Sequence, residues 1–218
     1  MSENCYFNPT RACYNSTNGK ERGVSGVSIT PNELNTRFTY RDYLSWPENE
    51  RWELIDGVPY DMTPAPSTKH QEVLGEFHLI FANYLRGKSC KVYLSPFDVR
   101  FEKELYQGDE DIQSVVQPDI TVICDQSKID ERGCKGAPDL IIEILSPATL
   151  KKDMGVKLRL YEQVGVLEYW VVHPIDQTVL IFQLKEGVYG TPTIYKVPDE
   201  VPVGLFEELI IPLSEVFR

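Results

Sequence analysis

From Leu140 to Leu145 the chain is apolar at every position but one, and the exception is a carboxylate, Glu143. A run of this length without polar alternation is the pattern of a central β-strand covered on both faces. Carboxylates are almost never buried unless they are paired or bound to metal. The fold must therefore bring Glu143 a partner. Strand period places Asp139, Ile141, Glu143 and Leu145 on one face, so the partner comes from whatever packs there.

Two neighbours qualify. Asp119 follows Pro118 in another strand-like run over 115–124, and two carboxylates on adjacent strands are hard oxygen donors of the kind Mg²⁺ prefers. Downstream, the spacing predicts a helix over about 151–164, stopped by Gly165, with Met154, Leu158 and Tyr161 as its buried stripe and Lys157 at the edge of that stripe. An ammonium led toward two carboxylates suits phosphodiester hydrolysis, where a metal polarises the phosphate and a cation steadies developing charge. The plainer alternative is an exposed Asp153–Lys157 pair at i, i+4, worth a few tenths of a kcal/mol. Lys151, Lys152 and Arg159 read as surface charge.

The rest of the chain supplies a frame. Residues 1–37, rich in Asn, Ser, Thr and Gly without apolar period, read as a disordered or loosely packed tail, and 38–218 as one domain. Thr39 caps a short helix ended by Pro47. Residues 52–62 form a hairpin about Asp56-Gly57, placing Glu53 on a strand of unassigned face. A helix over 67–85 carries the stripe His70, Val73, Leu74, Phe77, Phe81 and Leu85; His70 lies one turn from its start, able to meet a catalytic carboxylate or phosphate, or to serve as a core-edge residue. Strands follow at 91–94 and 97–101, an acidic loop over 102–111, and, beyond Gly165, strands at 168–173 and 178–184.

No apolar run spans a bilayer and the first residues lack a signal-peptide pattern, so a cytoplasmic protein without membrane contact is expected. The cysteines, Cys5, Cys13, Cys90, Cys124 and Cys134, form no Cys-x-x-Cys pair, and the expectation is reduced thiols. A net charge of −11 weighs against broad electrostatic capture of nucleic acid, which depends on Lys and Arg at phosphates.

The combination of Pro118-Asp119, Glu143 in its apolar strand and Lys157 in the following helix resembles the PD-(D/E)xK nuclease superfamily. More closely, the run 138–147 with Asp153, Lys157, Tyr161 and the Gly165-Val166-Leu167-Glu168-Tyr169-Trp170 stretch is similar to the Uma2 family of restriction endonuclease-like proteins. Glu53-Leu54-Ile55-Asp56-Gly57 and Ser67 with His70 fit it too. The resemblance implies a restriction-endonuclease-like α/β fold, a central mixed sheet flanked by helices. It further implies a Mg²⁺-dependent DNA endonuclease, with Mn²⁺ as a substitute, working as a homodimer. Asp119 and Glu143 would be metal ligands, Lys157 the catalytic lysine, and Glu53 and His70 accessory catalytic residues. In the superfamily the lysine stands two residues after the glutamate, where this chain has Leu145. The lysine has then migrated to position 157, or the chain is a non-catalytic oligomeric binding or regulatory protein that retains the fold.

Overall fold

The computed structural model describes residues 37–47, 49–62, 65–101 and 108–218. The tail expected over 1–37 lies outside them except for Arg37, as does most of the acidic loop.

Order along the chain begins with α1 (Tyr40–Tyr43), capped by Thr39, whose side chain accepts from the Asp42 amide while the Asp42 carboxylate accepts from the Thr39 amide. The hairpin β1 (Trp52–Ile55) and β2 (Val58–Asp61) turns at Asp56-Gly57, both at positive φ, as a two-residue primed turn requires. Next comes α2 (Thr68–Leu85), capped by Ser67 at the His70 amide, then β3 (Lys91–Leu94), β4 (Val99–Phe101), β5 (Ser114–Val116) and β6 (Ile120–Ile123). Short strands β7 (Ile129–Asp130) and β8 (Gly133–Lys135) precede the central strand β9 (Leu140–Ile144).

The helix after β9 opens with a π-helical segment, Lys152–Lys157, and continues as α3 (Leu158–Val164), ending at Gly165 in the left-handed region. Then follow β10 (Glu168–His173), β11 (Thr178–Lys185), β12 (Val188–Tyr189), β13 (Thr193–Lys196), β14 (Glu200–Pro202), β15 (Ile210–Pro212) and α4 (Leu213–Val216).

The main sheet runs β12-β11-β10-β9-β6-β3, with β13 also on β11. It is mixed: β9 pairs β10 in parallel and β6 antiparallel. Its two faces are covered differently. Leu140, Ile142 and Ile144 turn toward α2, where Phe77 and Phe81 meet Trp170 edge-on; Ile141 and Leu145 turn toward α3 and a second sheet, β2-β1-β5-β4-β8-β7. All five residues of β9 are buried, as the apolar run required.

Three expectations change. The run over 115–124 is not one strand: Gln117 and Pro118 break it, and the chain passes from β5 in the second sheet to β6 in the main sheet. Proline cannot donate to a sheet ladder, so the break falls where it stands. The connection before Pro138 carries β7 and β8, too short for a periodic signal. Cys90 and Cys124 are not both free thiols: they flank β3 and β6, where the Lys91↔Ile123 register brings them opposite each other, and they form a disulfide. Among the described residues Cys134 is the free cysteine, and it is buried. No described helix is long and apolar enough to cross a membrane.

Candidate functional site

Glu143 lies at the middle of the main sheet and points into the layer between that sheet and the helical segment. There it meets Lys157. The Lys157 ammonium is 2.7 Å from Glu143 Oε1 and 2.7 Å from Glu53 Oε1, with Asp153 Oδ1 at 3.7 Å. Tyr161, one turn on, donates its hydroxyl to Glu143 Oε1 at 2.8 Å. Glu53 reaches the cluster from β1 in the second sheet. Its Oε2 takes Lys152 Nζ at 2.6 Å and its Oε1 accepts the Gln117 amide at 3.0 Å. Glu53, Glu143, Asp153 and Lys157 are all at most 4% exposed, so this is an interior charge cluster drawn from three elements.

The π-helical segment makes the arrangement possible. A wider turn shifts the helix face, so that Asp153, Lys157 and Leu160 join Tyr161 in turning inward, while Met154 and Leu158 of the expected stripe are half-buried against the core. Asp153 and Lys157 are consequently not an exposed pair. Lys152, expected from sequence as surface charge, is turned to Glu53; six residues of π-turn are not visible as a period in so short a segment.

Asp119 stands one step beyond the Ile120↔Ile142 register that pairs β6 with β9. Its Oδ2 accepts the Ile144 amide at 2.8 Å and lies 3.1 Å from His70 Nε2. His70 thus contacts a carboxylate, but from the α2 side of the strand end, and its buried Nδ1 has no hydrogen-bond partner. The structure therefore gathers Glu53, Glu143 and Lys157 into direct contact, and joins His70 to Asp119 beside them. Among the described residues no group of three or more His, Cys, Asp or Glu side chains is disposed as a metal cage.

Burial alone would discharge all of these groups. For Glu143 it prevails: burial pushes the carboxyl up to about 8 despite Lys157, with Asp153, Asp119 and Glu53 adding repulsion. For Glu53 burial is outweighed by the Lys157 and Lys152 ammoniums, which hold it down to about 2. The two shifts differ although Lys157 is equidistant from both, because Glu53 has a second lysine and Glu143 has more acidic neighbours. Lys157 itself is held firmly protonated, its desolvation outweighed by three carboxylates. His70 is raised: burial lowers it, but its hydrogen bond and attraction to Asp119 win.

A mixed α/β frame with a buried Glu–Lys–Glu cluster at its central strand defines a protein of the restriction-endonuclease-like fold. The model of the Uma2 family, described as "Putative restriction endonuclease", matches residues 40–214, and the chain belongs to that family. Among curated proteins it is 26% identical over 148 residues to the uncharacterized protein slr1290 of Synechocystis sp., covering 67% of this chain and 73% of the relative. Among solved structures it is similar to a protein from Anabaena variabilis described as a putative nuclease belonging to DUF820, with a TM-score of 0.64, covering 83% of this chain and 97% of that one. At 23% identity, that likeness is one of fold.

Proposed function

We propose that the chain is a Mg²⁺-dependent DNA endonuclease that hydrolyses phosphodiester bonds. The observation that carries this reading is the buried Lys157 ammonium, 2.7 Å from both Glu53 and Glu143 and led there from a helix rather than from the strand. The donor chemistry fits a hard divalent cation: Asp119 and Glu143 offer carboxylate oxygens from adjacent strands, and Asp153 Oδ1 is buried without a hydrogen-bond partner. Asp119 and Glu143 would hold the ion, Mg²⁺ or Mn²⁺. When bound, it supplies Lewis-acid charge at the scissile phosphate.

The chain's own groups do the rest. Lys157 keeps its proton, so it serves as a hydrogen-bond donor that stabilises charge on the phosphate oxygens or orients the attacking water, not as a base. Glu53 and Tyr161 set its position, Glu53 by pairing with it and Tyr161 by occupying Glu143 Oε1. His70 orients Asp119. Homodimerisation and a cytoplasmic location go with this reading as what the family resemblance implies.

A second reading, a non-catalytic binding or regulatory protein, is favoured by Leu145, which is buried where the superfamily's lysine would stand, and by the net charge of −11. Metal binding separates the two first. Calorimetric titration with Mn²⁺ is expected to show a site that disappears in both Asp119→Ala and Glu143→Gln; binding unchanged in both variants would contradict the ligand assignment.

A further inference from the structure

Beside the buried cluster, two cavities of about 300 and 190 Å³ open along the flank of the helix. Tyr60 and Val156 line both, so the two cavities adjoin in the trough between helix and hairpin. One wall is a stripe of the helix, Lys152, Val156, Arg159 and Gln163, and the other is the β1–β2 hairpin. The stripe extends roughly 16 Å by the rise of a helix. At its upper end Lys152, a wall residue, holds Glu53 of the cluster at 2.6 Å.

The lining runs against the charge of the molecule. In a chain of net charge −11, Lys151, Lys152, Arg159 and Arg37 all face this trough, against Asp56 and Asp61. Lys151 and Arg159 are exposed and have no ion-pair or hydrogen-bond partner among the described residues. Cations left uncommitted along a concave track, with an aromatic ring at its midpoint, are what an unpaired nucleic-acid strand requires: ammonium and guanidinium groups for successive phosphates, and a ring face for a base.

We infer that this trough binds a single strand of nucleic acid, leading the backbone past Arg159 and Lys151 toward the Glu53–Lys157–Glu143 cluster, with a base stacked on Tyr60. The inference rests on the nuclease reading and specifies its substrate as an unpaired strand. Lys152 stands where the track meets the cluster and couples phosphate binding to the Glu53 carboxylate. Each phosphate neutralised releases counterions, so this binding weakens as salt rises.

The test is fluorescence anisotropy with labelled single-stranded and duplex DNA oligonucleotides of the same sequence, in EDTA so that cleavage plays no part. The wild-type chain is expected to bind the single strand at least tenfold tighter than the duplex. Lys151→Glu and Arg159→Glu should each weaken that binding and lower the slope of log K against log salt by about 0.7, the share of one phosphate that is no longer neutralised. Tyr60→Ala should weaken it by about tenfold through removal of the stack. Lys185→Glu, the same charge change on an exposed residue of β11, should leave binding unchanged. Equal affinity for the two DNA forms, no binding at all, or an equal effect of Lys185→Glu and Arg159→Glu overturns the inference. Failure of the nuclease reading shows separately, as no cleavage of either DNA form by the wild-type chain with Mg²⁺ or Mn²⁺.

Discussion

Lys157 is the residue on which the interior depends. Its ammonium compensates the Glu53 carboxylate while donating to Glu143, and removing one partner of a buried ion pair strands the charge left behind. Lys157→Ala is expected to lower stability by about 3–5 kcal/mol, read by urea denaturation; a decrease within the range of a surface pair, under about 1 kcal/mol, would contradict the buried geometry. Activity tests therefore need a folded variant, and each Lys157 variant is checked for folding before its activity is read.

The pH dependence follows from the same cluster. Glu143 keeps its proton in the fold up to about pH 8 but loses it in the unfolded chain near an ordinary carboxylate value, so the folded state binds more protons between the two. His70, also raised, acts in the same sense: its contribution is complete below its unfolded value and is lost as pH climbs through the folded one. Stability in the absence of metal is expected to fall as pH rises from about 5 to 8, and Glu143→Gln should flatten most of that fall. Glu53 has the opposite sign. Its pKa is depressed, so its contribution is lost as pH drops from the carboxylate range toward about 2. Melting curves across this range check both limbs, and a rise in stability from pH 5 to 8 would show Glu143 to be ionised.

At the scale of the element, the strand and its partner helix are unequally legible in the sequence. The apolar run about Glu143 announces a central strand because burial on both faces leaves a nearly complete signature in residue type. The stripe of α2 is equally plain, and its expected residues are the buried ones. Within the helix over 151–164 the existence of the element is readable but its inward face only in part: Tyr161 is buried as expected, while Met154 and Leu158 are half-buried. Six residues in a π-turn displace the stripe by an amount no 3.6-residue period encodes, which hides Lys152 and Asp153. The break at Gln117-Pro118 is marked by the proline itself, but the apolar residues on either side mask it as one continuous strand. Elsewhere in the helices, Gly75 is exposed on α2 and an added Cβ would meet nothing within 4 Å. Gly75→Ala is expected to stabilise the fold by about 0.5–1 kcal/mol without touching the site. Thermal melting checks it, and a fall in melting temperature would mean that this face of α2 is not open.

On the scale of the whole molecule, the site is an inter-sheet construction. Glu53 comes from the second sheet, Glu143 from the main sheet, and Lys157 from the helix between strands of the latter, so none of the three is brought to the others by local sequence. That is why Glu53 is recognisable in the sequence only through family resemblance, while its position opposite Lys157 depends on how the sheets stack. The disulfide between Cys90 and Cys124 is hidden for a similar reason: their separation of 34 residues says nothing until β3 and β6 are paired. Charge, too, is organised above the level of composition, since an acidic molecule gathers uncommitted cations along one trough beside the cluster.

In the proposed mechanism Lys157 serves as the nuclease lysine from the helix that follows the central strand. The most direct measurement of this role is cleavage of single-stranded and plasmid DNA with Mg²⁺ and with Mn²⁺, comparing the wild-type chain, Glu143→Gln, and Glu143→Gln with Lys157→Met, each first confirmed folded by circular dichroism. A Lys157→Arg variant, which keeps the positive charge, accompanies them. Metal-dependent cleavage by the wild type, abolished in Glu143→Gln and in the double variant and reduced at least a hundredfold in Lys157→Arg, is the predicted result, since an oriented donor at the phosphate is worth about that much. Full cleavage by a folded Lys157 variant, or none by the wild type with either metal, would contradict it.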